Sequence, residues 1–255
     1  MPKLKEILRR GDISVGTWIT IGHPDVVEAL STLPLDWLVF DMEHAPLDIS
    51  LLEIMIMGTR GSNVEPIVRV SWNDMVAIKR TLDLGFRGLM IPYVNTREEA
   101  ESAVKYSRYP PKGVRGYGPR RAIMYGAYGA QSSLEYYRGF EKELVLIVQI
   151  ESERAVKQAE DIASVDGVDV LFVGPADLSI SLSAPLDYGS PRFVDALKEV
   201  LRACEKQGKI PGIHAIDVQQ ARRWIDMGFR FISISTDIDM LRTAVISMLG
   251  SLGRV

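Results

Sequence analysis

The 255-residue chain has one cysteine, Cys204, so no internal disulfide can form and no cysteine-based metal cluster is available. Cys204 falls in a helical stretch, 192–207, and reads as a small apolar core residue. No uninterrupted apolar run approaches the ~18 residues of a membrane span. The basic amphipathic start, M-P-K-L-K-E-I-L-R-R-G, lacks the apolar core of a signal peptide, so a cytoplasmic protein is the expectation. Charge of either sign is nearly balanced at a net −3, which gives no electrostatic reason to expect nucleic acid or an anionic membrane as partner. G-x-x-x-x-G-K-[ST], H-E-x-x-H and G-x-S-x-G are all missing, and G-V-R-G-Y-G lacks the spacing and strand–helix context of a dinucleotide loop. None of the strand candidates holds a lysine, which removes Schiff-base chemistry from inside a barrel.

What the chain does have is a regular rhythm. Short apolar runs at 14–20, 36–41, 66–70, 88–92, 144–150, 168–173, 210–213 and 231–235 alternate with segments of helical period. This βαβα alternation predicts an α/β fold with a parallel sheet, and the length matches the roughly 250 residues of a single (β/α)8 TIM barrel over 1–255, led by a short N-terminal helix. Asp25, Asn73, Asp217 and the Thr96/Glu99 capping box mark helix starts, while Gly85 and Gly228 mark ends. One long stretch, 106–139, reads as irregular. A barrel loop of that length is expected to be functional or to pack on another subunit.

The informative polar residues stand at strand ends, which in a parallel barrel converge on one face. Glu151 and Asp177 each close an apolar run, where a charge is costly unless paired or ligating. Together they form part of an all-oxygen shell suited to Mg2+ or Mn2+, or to Co2+. The competing reading is two solvated acids bonded to nearby N–H groups. Arg69 ends P-I-V-R and suits a carboxylate or a developing enolate oxygen, or else a buried ion pair. His44 can exchange protons near neutral pH, or be a structural hydrogen-bonding residue. Asp83 on the following helix would orient His44 or pair locally; Asp41 and Glu43 crowd the same strand end as rival partners or ligands. Arg115, Arg120 and Arg121 form a candidate anion site over the pocket mouth, or a solvated or intersubunit cluster.

The elements G-T-W, D-W-L-V-F-D-M-E-H-A-P, P-I-V-R-V-S-W-N-D, I-K-R-T-L-D-L-G, R-Y-P-P-K-G-V-R-G, V-Q-I-E-S and V-G-P-A-D-L-S run in order through the chain. In them the sequence resembles the HpcH/HpaI aldolase family, metal-dependent class II pyruvate aldolases. The resemblance implies reversible cleavage of a 4-hydroxy-2-keto acid to pyruvate and an aldehyde. It implies Glu151 and Asp177 as metal ligands, Arg69 at the keto oxygen, and His44 with Asp83 as an acid–base dyad. Gln149 and the backbone of Gly174, Pro175 and Ala176 would line the substrate, with Trp18 and His214 as further contacts. It also implies a homohexamer, a trimer of dimers, exchanging a last helix near 240–249. Two departures bear on the aldehyde half: the G-Y-G-P-R-R-A-I-M-Y-G loop, and His214 where an apolar residue is expected. Two alternatives are carried: an acyl-CoA lyase of the citryl-CoA or malyl-CoA kind, for which the chain is short, and a barrel that binds a 2-keto acid without turnover.

Overall fold

The structure, a computed structural model, describes residues 4–127 and 129–254, and of residues 130–132 the backbone alone. In chain order the elements are α1 (Leu4–Arg10), β1 (Ser14–Ile19), α2 (Pro24–Ser31), β2 (Trp37–Asp41), α3 (Ile49–Met55), β3 (Glu65–Arg69), α4 (Met75–Asp83), β4 (Gly88–Ile91), α5 (Arg97–Ser107) and α6 (Gly129–Glu143). They continue as β5 (Val145–Ile150), α7 (Glu153–Lys157), α8 (Ala159–Ala163), β6 (Val170–Val173), α9 (Pro175–Ser181), α10 (Pro191–Gln207), β7 (Ile210–Ala215), α11 (Val218–Met227), β8 (Phe231–Thr236) and α12 (Asp237–Ser251). Each strand pairs in parallel with the next, and β8 pairs with β1 to close an eight-stranded barrel. All eight expected strands are present, with ends shifted by at most two residues.

Strand parity decides what reaches the barrel's axis. Trp37 and Val39 of β2, Ile67 of β3, Val145 and Ile147 of β5, and Phe172 of β6 form the inner core with Trp18 and Phe231, closed from below by Leu4 and Leu8 of α1. Trp37 stacks on Phe231 with centroids 4.1 Å apart, and only glycine fits opposite, since a Cβ at Gly16 would lie 2.1 Å from the Trp37 ring. The alternate residues, such as Leu38, Phe40, Val68, Leu146, Val148 and Leu171, pack outward against the helices. Carried two residues further, the inward phase delivers Asp41 from β2, Arg69 from β3, Gln149 from β5 and His214 from β7 to the open rim, and Glu151 follows just past the end of β5.

Several expected helix signals hold. Thr96 accepts from the Glu99 N–H, Asp217 caps α11, and Gly85 and Gly228 take positive φ of 100° and 115° at helix ends. The Glu99 carboxylate reaches back one residue further than a regular box, to the Asn95 N–H. Two starts shift by a residue or two. Asp74, not Asn73, caps α4 by accepting from the Val76 and Ala77 N–H groups, and Asn73 instead donates to the Glu99 carbonyl. His23 caps α2, with Asp25 in its first turn. The 106–139 stretch is not one long loop: α5 runs to Ser107 and α6 begins at Gly129, so the irregular part is 108–127 with a short 3-10 turn at Met124–Gly126. No helix among the described residues is long and apolar enough to cross a membrane.

Candidate active site

A cavity of about 360 Å³ opens at the C-terminal ends of the strands, the size of a small-molecule site. It is lined by Trp18, Asp41, His44, Arg69, Gln149, Glu151, Gly174, Pro175, Ala176, Asp177 and His214, together with Thr20, Phe172, Tyr188, Ile216, Gln220 and Thr236. The expected catalytic, substrate and metal residues are therefore gathered here except Asp83; Glu43, Arg115, Arg120 and Arg121 are not among the lining residues either.

Arg69 is the hub. The β2–β3 register sets Asp41 opposite Arg69, and the guanidinium forks onto it with Nε and Nη2 at 2.9 and 2.8 Å from its two carboxylate oxygens. Nη1 lies 3.0 Å from Glu43 Oε2. The Trp18 ring carries the guanidinium carbon 4.3 Å from its centroid. The fork uses two of the five N–H groups of the guanidinium; the Glu43 contact is an ion pair without hydrogen-bond geometry, Glu43 Oε2 having no hydrogen-bond partner, so donors remain for a ligand. Asp41 and Glu43, expected as rival partners or ligands, are thus the side chains that hold Arg69, in the buried ion pair that is the alternative reading of that arginine. Their signal was parity, since positions 37, 39, 41 and 43 share one face.

Glu151 is buried. Its Oε1 accepts from Gln149 Nε2 at 2.8 Å and its Oε2 from the Tyr93 N–H at 3.1 Å. Burial, then the charge of Glu43, push its carboxyl up to about 8 against the pull of the Tyr93 N–H and Arg69, and Asp177 adds to the rise. Burial also raises Glu43, opposed chiefly by Arg69. Four carboxylates therefore face one guanidinium: Asp41, Glu43, Glu151 and Asp177 against Arg69. Gln149 Oε1 is buried without a hydrogen-bond partner. Gly174 is a requirement of the site, because a Cβ there would stand 2.3 Å from Glu151 Oε1.

Four acids around one cation, with the Glu151 and Glu43 carboxyls raised by burial and mutual repulsion and buried acceptors on Gln149 and Glu43 left without partners, fit a divalent cation that would take the place of the protons. Among the described residues no three acidic, imidazole or thiol groups are placed to enclose an ion by themselves. Glu151 and Asp177 would supply two oxygen ligands, and water and substrate the remainder.

His44 sits at the rim with its side chain 67% exposed and Nε2 3.9 Å from Glu43 Oε2. The expected His44–Asp83 pair does not form within the chain. Asp83 is the last residue of α4, which runs back from the rim to the opposite face of the barrel, and there it accepts from Arg115 Nη2 at 2.7 Å. Arg115 is fully buried, with its guanidinium carbon 4.6 Å from the centroids of both Tyr109 and Phe140. Arg121 donates to the Leu84 carbonyl in the same region. Arg115 and Arg121 therefore brace the base of α4 and do not cover the pocket mouth, and Arg120 is exposed.

A barrel with this rim and this inward set of acids defines a class: a small-molecule pocket at the strand ends whose acids could hold a hard cation. The family model for HpcH/HpaI aldolase/citrate lyase matches residues 14–244, and the chain belongs to that family. It is 38% identical over 243 residues, 95% of its length and 93% of the relative's, to 5-keto-4-deoxy-D-glucarate aldolase of Shigella boydii. A HpcH/HpaI aldolase/citrate lyase family protein from Burkholderia cenocepacia superposes with a TM-score of 0.92 at 36% identity, covering 99% of both chains. A HpcH/HpaI aldolase from Desulfitobacterium hafniense gives 0.91 at 27% identity over 99% of this chain and 97% of that one. The chain is a carbon–carbon lyase of the aldolase type.

Proposed function

We propose that this protein is a cytoplasmic class II aldolase that reversibly cleaves a 4-hydroxy-2-keto acid to pyruvate and an aldehyde, using a divalent ion, Mg2+ or Mn2+, held by Glu151 and Asp177. The observation that carries this reading is the convergence of four acidic side chains on the single guanidinium of Arg69, where burial and mutual repulsion push the Glu151 carboxyl up to about 8. When bound, the ion supplies Lewis-acid polarisation and a template for the two adjacent oxygens of a 2-keto acid. The remaining work falls to the chain. The N–H groups of Arg69 not used on Asp41 meet the keto oxygen as it gains negative charge, and a donor already fixed by Asp41 needs no reorganisation to do so. Gln149 holds Glu151 in place through its amide N–H. His44, exposed at the rim, takes the proton from the C4 hydroxyl; the C3–C4 electron pair moves into the enolate, the aldehyde leaves, and C3 is reprotonated. Running the steps backwards gives condensation.

Chelation tests the reading. Protein treated with EDTA is expected to release no pyruvate from a 4-hydroxy-2-keto acid and to recover on addition of Mn2+ or Mg2+. Activity indifferent to chelation removes the cation from the mechanism.

We also infer that the protein works as a homo-oligomer, a hexamer by its resemblance to the family. Ile238, Leu241, Val245, Ile246 and Met248 of α12 are exposed in a single chain, a run of apolar side chains that a partner surface would cover. Light scattering behind size exclusion should give six times the 28.4 kDa chain mass, and a chain ending before α12 should fall to a smaller species.

A further inference from the structure

The lining of the pocket divides by chemistry. Asp41, His44, Arg69 and Glu151 come from β2, β3, β5 and the turn after β2, with Asp177 at the start of α9. The wall made by β7, β8 and β1 carries no cation and no carboxylate among its described lining residues: Trp18, Thr20, His214, Ile216, Thr236 and, from α11, Gln220. A chelating keto acid belongs on the charged side, which leaves the neutral wall for the aldehyde-derived part of the molecule.

On that wall three polar atoms form a triangle. Trp18 Nε1 lies 3.1 Å from Ser233 Oγ and 3.2 Å from His214 Nδ1, and Ser233 Oγ lies 2.8 Å from His214 Nδ1. An indole nitrogen only donates. Were the imidazole proton on Nδ1, two N–H groups would face each other across 3.2 Å, and the buried Ser233 hydroxyl would have no acceptor in the triangle. With the proton on Nε2, the indole donates to Ser233 and Ser233 donates to Nδ1, so each donor is used. Burial, helped by the charge of Arg69, holds His214 down to about 4, and the ring is neutral at working pH. Arg69 against the Trp18 face and Phe172 against its edge hold the indole, and through it the imidazole. No hydrogen bond to His214 Nε2 is present among the described residues, and His214 lines the cavity.

We propose that His214 determines specificity by donating from Nε2–H to a hydroxyl oxygen on the aldehyde-derived half of the substrate, so that the enzyme selects hydroxyaldehydes over their deoxy counterparts. Ser233 acts as its positioning residue by fixing the tautomer. The proposal rests on the aldolase reading above. A neutral donor on a wall without cations suits an uncharged oxygen, and a donor left unpaired against hydrogen disfavours the deoxy compound.

Glycolaldehyde and acetaldehyde differ by one hydroxyl. In condensation with pyruvate, wild-type kcat/KM is expected to favour glycolaldehyde about tenfold or more. His214→Leu should bring the ratio close to one, chiefly by loss with glycolaldehyde, and His214→Gln, which keeps an N–H donor, should regain part of it. Ser233→Ala keeps the ring but frees the tautomer, and should lower the ratio in a protein that retains the imidazole; it carries the test if the leucine variant does not fold. A wild-type ratio near one, or an unchanged ratio in either His214→Leu or Ser233→Ala, overturns the assignment. Exchange of pyruvate methyl protons into D2O by the wild-type enzyme needs no aldehyde and separates the two failures. Its absence sinks the aldolase reading, whereas exchange without hydroxyl preference sinks only the role of His214.

Discussion

Replacing Glu151 with glutamine is expected to give a protein at least as stable as wild type that turns over at about a hundredth of the rate or less. The two halves of that result have one cause. Glu151 is buried among carboxylates, and its folded-state value of about 8 lies well above its ordinary 4.5. The folded chain then binds a proton that the unfolded chain has released, so metal-free protein loses stability as pH rises from 4.5 to about 8. The loss from this group is roughly 5 kcal/mol at most, and Glu43, shifted the same way, adds to it. Glutamine has the same shape and no charge. Its carbonyl oxygen accepts from Tyr93, and its amide nitrogen takes the place of Oε1, where it can donate to Gln149 Oε1 once the Gln149 amide, whose Nε2 faces that position in the wild type, turns over. The variant's melting temperature should therefore fall much less between pH 5 and 8.5 than that of the metal-free wild type, with only the Glu43 part of the loss remaining. Adding Mn2+ should restore the wild type at high pH and leave the variant unmoved, because one of two oxygen ligands has become a poor one. A variant with wild-type rate and an intact Mn2+ response would show that Glu151 is not a ligand.

The barrel was legible because its strands are apolar runs bounded by turn residues and separated by amphipathic stretches, a pattern set by burial on both faces of a parallel sheet. The site was legible in part because charges at the ends of such runs are hard to explain otherwise. Gln149, Glu151, Arg69 and His214 lie in phase with the inner core, and the structure brings them to one cavity. Asp83 was misplaced for a physical reason: a helix that follows a barrel strand returns to the strands' N-terminal face, so its last residue cannot reach the rim of its own chain. The fork from Arg69 to Asp41 depends on β2–β3 register, which no local signal specifies. Tyr188, Thr20 and Gln220 come from a loop, a strand end and a helix start, and no periodicity marks them as pocket residues. The 106–139 stretch looked irregular because glycines at 126, 129 and 139 mimic a loop, yet α6 spans Gly139 and starts at Gly129 with φ of 76°.

Arg69→Ala should be the most damaging single change, lowering turnover by a factor of about a hundred or more and stability by about 3–5 kcal/mol. The stability loss comes from what is left behind. Asp41, 3% exposed, loses both of its guanidinium hydrogen bonds, and Glu43 loses the cation that opposes its upward shift. The indole of Trp18 loses the ion on its face, and the wall that carries His214 loosens with it. Arg69→Lys separates charge from geometry: an ammonium restores a positive charge but cannot span both Asp41 oxygens, reach Glu43 and still present donors to a ligand. It should recover much of the stability and little of the rate. The double change Arg69→Ala with Asp41→Asn goes further, because removing both members of a buried pair strands no charge, whereas removing one does. Its melting temperature should return toward wild type, while its rate should stay as low as that of the single variant. Thermal melts and initial rates on the three proteins decide between the roles. A double variant that regains activity along with stability would mean that Arg69 serves only to neutralise Asp41, and the enolate would need another donor. A double variant that is stable and inactive identifies the guanidinium as the group that meets the developing charge.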